Sequence, residues 1–99
     1  MEKEKEKGYI SRWLESKKID LKDKELSIEL IVLLIHRRKQ SFDSVKTEIF
    51  KGYEDRYNEV MDDLRKNNII EEGCEPLLYV DIPFRLIKEI SDFIKKDRG

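Results

Sequence analysis

Between positions 26 and 35 the only polar residues are Ser27 and Glu29, and this stretch constrains the fold more than any other. It sits in a chain of 99 residues in which 43% of the side chains are charged. Positions 30–35 form the longest unbroken apolar run, six residues, where a membrane span needs about 20. Apolar and polar positions stop alternating after Leu30, which argues against a half-exposed strand. The pattern predicts a helix over 24–39, apolar nearly all round and central to the core. Ile28, Ile31, Val32 and Ile35 are β-branched, so a buried strand stands as the rival reading.

A chain this short holds one small domain. Its 21 lysines and arginines face 22 aspartates and glutamates, a formal net charge of -1. That balance excludes a histone-like polycation and leaves room for a local basic patch. Cys74 is the only cysteine, so no intrachain disulfide forms and a reducing interior is expected, with the thiol a bystander. The start, Met1, Glu2, Lys3, Glu4, Lys5, Glu6 and Lys7, alternates in charge and has no apolar segment, unlike a secretory signal. The sequence therefore reads as a cytoplasmic protein with a charged flexible arm over 1–8 and a single domain over 9–99.

Within that domain, Tyr9, Ile10, Trp13 and Leu14 predict one face of a leader helix over 9–18, with Lys17 and Lys18 suited to its C-terminal end. Ile19 and Leu21 are expected to tuck the following linker onto the core. Ser41 is a suitable N-cap for a short helix over 42–50, marked by Phe42, Val45, Ile49 and Phe50 and stopped at Gly52. Tyr53, Tyr57, Val60, Met61 and Leu64 trace an amphipathic helix over 53–67. Ile69 and Ile70 read as a short strand and Leu77 to Val80 as its return, with Gly73 near the turn. Pro83 opens a last helix over 83–96, striped by Phe84, Ile87, Ile90 and Ile94 and widened by Leu86 and Phe93. A stripe that wide can contact two surfaces, one of them another chain.

A leader helix, three helices, a two-stranded hairpin over 69–80 and a last helix, in that order, resemble the winged helix-turn-helix family. The resemblance is most specific at Leu64, Arg65, Lys66, Asn67, Asn68, Ile69, Ile70, Glu71, Glu72 and Gly73. In that family the recognition helix commonly ends with a leucine, a basic or polar pair, a small turn residue such as glycine, and an apolar pair opening the wing. Asn68 stands where glycine is frequent, and asparagine is the usual second choice for positive φ. Leu78, Tyr79, Val80, Asp81, Ile82 and Pro83 resemble the returning wing strand leading into a dimerising last helix. Small winged-helix proteins of archaea and their viruses are similar in size and in Lys/Glu/Ile-rich composition. The resemblance covers about 24–99 and implies a mainly α fold with a small β-hairpin wing (α+β), carrying an added N-terminal and C-terminal helix. It also implies double-stranded DNA as partner, a role in transcription regulation, and a homodimer through the terminal helices. The helix beginning at Tyr53 would enter the major groove and the loop 71–76 would lie against the backbone.

The charges oppose that pose. Residues 53–82 hold three bases, Arg56, Arg65 and Lys66, against nine acids, a net of -6. Asp55, Glu59, Asp62 and Lys66 fall on the outermost helix positions, and Glu71, Glu72 and Glu75 fall in the wing turn. DNA affinity rests largely on phosphates neutralised by lysine and arginine. A carboxylate can accept from cytosine N4, which rescues one contact. The bases lie elsewhere, in His36, Arg37, Arg38 and Lys39 and in the flanking helices. The candidate nucleic-acid contacts are therefore Arg37, Arg38, Lys39, Lys46, Lys51 and Arg56. The alternative is a protein-interaction module whose acidic face, Asp55, Glu59 and Asp62, docks a basic protein partner.

No pattern points to an enzyme, a cofactor or a metal. Asp55, Glu59, Asp62 and Asp63 lack the loop spacing of a cation site. His36 is the only histidine and is far in sequence from Cys74, which supports neither zinc nor a Cys–His pair. The four glycines are isolated, and no serine lies in a nucleophile elbow. Trp13 and Tyr9 are expected to pack the leader helix onto the body.

Overall fold

The apolar stretch is helical and central. In the computed structural model, which describes residues 2–74 and 78–98 and the side chains of 4–74 and 78–97, α2 spans Lys24–Arg37. Leu30, Ile31 and Leu34 are fully buried, with Leu26, Ile28 and Val32 close behind. The helix starts where Asp23 Oδ1 accepts from the Leu26 amide at 3.2 Å, satisfying a donor that a first turn otherwise leaves open. That cap favours the helix over the rival strand.

The leader helix, α1, spans Glu2–Ser16, so residues 2–8 of the expected flexible arm are helical. Glutamate and lysine are good helix formers and pair one turn apart. Two of the arm's charges also reach α2: Lys7 lies 3.2 Å from Glu29 and Glu6 lies 2.7 Å from His36 Nε2. Ile10, Trp13 and Leu14, following on the same face, are buried. The Trp13 indole donates to Glu89 Oε2 at 2.9 Å, so Trp13 is a packing residue. The helix closes on a left-handed residue: Lys18 has φ 58, and the amides of Lys18 and Ile19 donate to Glu15 O and Leu14 O at 3.0 Å each, a Schellman arrangement. Leu21 is buried and Ile19 packs against the core, as expected of the linker.

After α2 come β1 (Gln40–Ser41), α3 (Phe42–Glu48), a 3-10 turn (Glu54–Arg56) and α4 (Tyr57–Lys66). Ser41 caps α3, its Oγ accepting from the Ser44 amide at 3.0 Å. In α4, Val60, Met61 and Leu64 are buried as the stripe predicts. Tyr53 is not, at 52% exposed, because the 3-10 turn breaks the 3.6-residue phase ahead of Tyr57. Tyr57 packs edge-on against Phe50, ring centroids 5.2 Å apart. A second Schellman arrangement ends α4: Asn68 has φ 57, and Asn68 and Ile69 donate to Arg65 O and Leu64 O.

β2 (Glu71–Gly73) and β3 (Tyr79–Asp81) form the hairpin, and Ile69 and Ile70 are buried just ahead of it instead of within it. The hairpin tip, including Glu75, lies outside the described residues. A third strand was not legible in the sequence. β1 pairs with β3 through Gln40↔Val80 and Ser41↔Tyr79, giving an antiparallel sheet of order β1-β3-β2. The Tyr79 ring lies so close to Gly73 that a Cβ there would fall 2.4 Å from it. α5 (Phe84–Arg98) closes the fold. Leu86 and Ile90 are buried, whereas Phe84, expected on the stripe, is 68% exposed.

The Arg56 guanidinium beside Asp23, 2.8 Å away, holds the Asp23 carboxyl below the usual carboxylate range. A lowered folded pKa adds stability that is present above the unfolded value of about 3.9 and is lost as pH falls through the lowered value. Asp23→Ala is expected to cost about 1 kcal/mol through the cap. Asp23→Asn, which keeps a capping oxygen, should cost less and flatten the acid limb. Urea melts at pH 7 and pH 3 check both; equal losses for the two variants would contradict the capping role.

Candidate nucleic-acid interface

The structure divides the six candidate bases into two groups. Three surface arginines pair with carboxylates of their own chain: Arg37 with Glu48 at 3.3 Å, Arg38 with Asp81 and Arg56 with Asp23. The three lysines are exposed and make no ion pair among the described residues. Two of them lie over aromatic rings. Lys39 Nζ is 4.5 Å from the Tyr79 ring centroid, and Lys46 Nζ is 4.9 Å from that of Tyr57. Lys51 stands clear on the surface after α3.

Local structure explains the two seated lysines. Lys39 directly precedes β1, and the pairing of Ser41 with Tyr79 brings the tyrosine to the same end of the sheet. Ser41 in turn starts α3, which carries Lys46 one turn further on. Tyr57 opens α4 and is held by Phe50; burial pushes its phenol pKa up. Cation–π contacts of this kind keep a lysine near one position without neutralising it. Neither pair is legible from residue order, since the partners are 40 and 11 residues apart.

The acidic candidates span two elements, Asp55 in the 3-10 turn and Glu59 and Asp62 on α4. Asp55, Glu59 and Asp62 are exposed, as is Lys66. Asp62 shares Arg65, 2.7 Å away, with Glu72 of β2, which ties α4 to the hairpin. The Glu72 contact raises the Arg65 pKa. Asp63 has a structural task, accepting from the Lys22 amide at 2.7 Å. Glu54 is held below its usual pKa by its own amide and that of Gly52. No group of three or more His, Cys, Asp or Glu that could hold a metal occurs among the described residues.

Elsewhere, a groove of about 430 Å³ between α1, α2 and α3 has Val32, Leu33 and Ile49 in its lining. The charges around it are matched within the chain, Lys7 with Glu29 and Arg37 with Glu48. No helix among the described residues is long and apolar enough to cross a membrane. No protein-family model, curated protein or solved structure matches the chain.

Arg38 carries a further oddity. Its backbone has φ 62 and ψ -140, a region that costs a non-glycine residue about 1–3 kcal/mol. Its side chain reaches Asp81, which is only 5% exposed. Arg38 Nε and Nη2 donate to the two carboxylate oxygens at 3.2 and 3.3 Å, and the Ile82 amide donates to Oδ1 at 2.8 Å. A buried carboxylate without its partner is expensive, and this need explains an arginine in a glycine-type conformation. Arg38→Ala should lower stability by about 1–3 kcal/mol. Arg38→Gly should lower it less, by up to about 1 kcal/mol, because glycine carries no strain there. Urea midpoints decide; a glycine variant no more stable than the alanine variant would contradict the strain argument.

Proposed function

We propose that this chain is a winged-helix DNA-binding protein, a small transcriptional regulator of the cytoplasm that works as a homodimer through its terminal helices. The observation that carries the reading is the order α2, β1, α3, α4, β2, β3 with sheet order β1-β3-β2. It puts a short capped helix and an amphipathic helix in succession, with a hairpin directly behind, as a winged helix requires. The exposed Lys39, Lys46 and Lys51, next to that sheet and on or just after α3, supply positive charge beside it. On α5, the exposed Phe84 and the half-buried Ile87 and Ile94 leave apolar surface for a second copy.

A second reading, docking of a basic protein partner on α4, has its own support. Asp55 and Glu59 have no ion-pair partner among the described residues, since Arg56 turns to Asp23 and Arg65 to Asp62 and Glu72. The sign of the surface in use separates the two. On the DNA reading, Lys39→Glu, Lys46→Glu and Lys51→Glu together weaken duplex binding at least about 10-fold at 50 mM salt. Asp55→Lys, Glu59→Lys and Asp62→Lys together strengthen it. Fluorescence anisotropy on a random-sequence duplex checks both. Wild-type protein that leaves the duplex free at low salt would overturn the DNA reading and turn attention to the acidic face.

A further inference from the structure

Resting on the DNA-binding part of the reading above, and in place of operator selection by a sequence-specific regulator, we infer that the chain holds duplex DNA by its sugar-phosphate backbone, through lysines seated on tyrosine rings, and does not select bases. Three observations lead there. First, the arginines are spent internally: Arg12 pairs with Asp97, Arg37 with Glu48, Arg38 with Asp81, Arg56 with Asp23, and Arg65 with Asp62 and Glu72. Only Arg85, on α5, is exposed without an ion pair among the described residues. The planar fork of arginine is the side chain best suited to reading the O6/N7 edge of guanine, and here the forks near the hairpin and α4 are occupied by carboxylates.

Second, the outward edge of α4, the element a winged helix would insert, offers Glu59 and Asp62, and the 3-10 turn ahead of it adds Asp55. Carboxylates find one donor in the major groove, the cytosine N4 amino group, and repel the phosphates on either side. Third, the cations that remain near the sheet are lysines. Lysine is a compact point charge that serves a phosphate from many angles, so it gives affinity with little discrimination.

Lys39 and Lys46 are the two lysines held in place. Lys39 precedes β1 and lies over Tyr79, while Lys46 follows on α3 and lies over Tyr57. The two-residue strand and the first turn of α3 join them, so both sit along one continuous segment. Tyr57 and Tyr79 are positioning residues. Each fixes an ammonium group that would otherwise sample many rotamers, and neither needs its hydroxyl to do so.

The test uses the full chain and fluorescein-labelled duplexes of unrelated sequence, AT-rich, GC-rich and mixed, across a salt series. The inference expects affinities within about threefold of one another and a log–log salt slope that falls by about two in Lys39→Ala/Lys46→Ala. Tyr57→Leu/Tyr79→Leu should weaken binding about 2- to 5-fold per site with the salt slope kept. Tyr57→Phe/Tyr79→Phe, which keeps both rings and their packing, should bind as wild type, so loss of folding in the leucine variant does not hide the result. A sequence recovered by selection from a random pool and bound more than about 100-fold tighter than the pool overturns the inference and leaves the DNA reading standing. So does binding that persists with an unchanged slope in Lys39→Ala/Lys46→Ala. Absence of wild-type binding to every duplex at low salt overturns both.

Discussion

Burial of α2 is the constraint on which the other elements depend. A 14-residue helix with Leu30, Ile31 and Leu34 fully enclosed needs neighbours on nearly every side, and a chain with 43% charged residues has few apolar side chains to supply them. α1 packs on α2 with Ile10, Trp13 and Leu14, and α4 does so with Val60, Met61 and Leu64, while α5 packs on α1, and Val80 of β3, Ile82 just after it and Leu86 and Ile90 of α5 complete the same core. Each such side chain contributes about 1.5–3 kcal/mol when fully buried, against a backbone ordering cost of about 1–2 kcal/mol per residue. The apolar residues are therefore concentrated at the contact faces, and the remaining faces are charged.

Those charges are organised as well. Exposed ion pairs contribute little to stability, but two of the pairs involve carboxylates with little exposure and link distant parts of the chain. Asp23 joins the start of α2 to Arg56 just ahead of α4, and Asp81 joins β3 to Arg38 at the end of α2. Both arginines look like surface cations in the sequence. In the fold they are clamps, and this leaves lysine as the cation exposed beside the sheet. The strained backbone of Arg38 fits the same account, since the position is kept by what its side chain reaches.

Elements with a strong period were legible in advance. The α2 and α4 stripes, the Ser41 cap and the positive φ of Asn68 all follow from residue type and spacing. The features that were not legible depend on tertiary contacts. The arm over 1–8 carries no apolar face of its own, and its helix is continuous with α1 and tied to α2 by Glu6 and Lys7. β1 is two residues long and exists only because β3 arrives beside it. Tyr53 fell off the α4 stripe because a 3-10 turn resets the phase, and Phe84 lies at a helix start where the core has already turned away. At the candidate site the sequence located the basic cluster but could not separate paired arginines from exposed lysines. That division depends on Glu48, Asp81 and Asp23, residues remote in sequence from their partners or, for Glu48, on the next helix.

The central claim is that DNA meets the segment from Lys39 to Lys46 and not the acidic edge of α4. Amide chemical-shift mapping of the ¹⁵N-labelled chain during titration with a short duplex tests it most directly. The account predicts that the largest shifts fall on residues 39–46 and on Tyr79, with Asp55, Glu59 and Asp62 little changed. Shifts centred on Asp55, Glu59 and Asp62, or none at any amide at low salt, would contradict it.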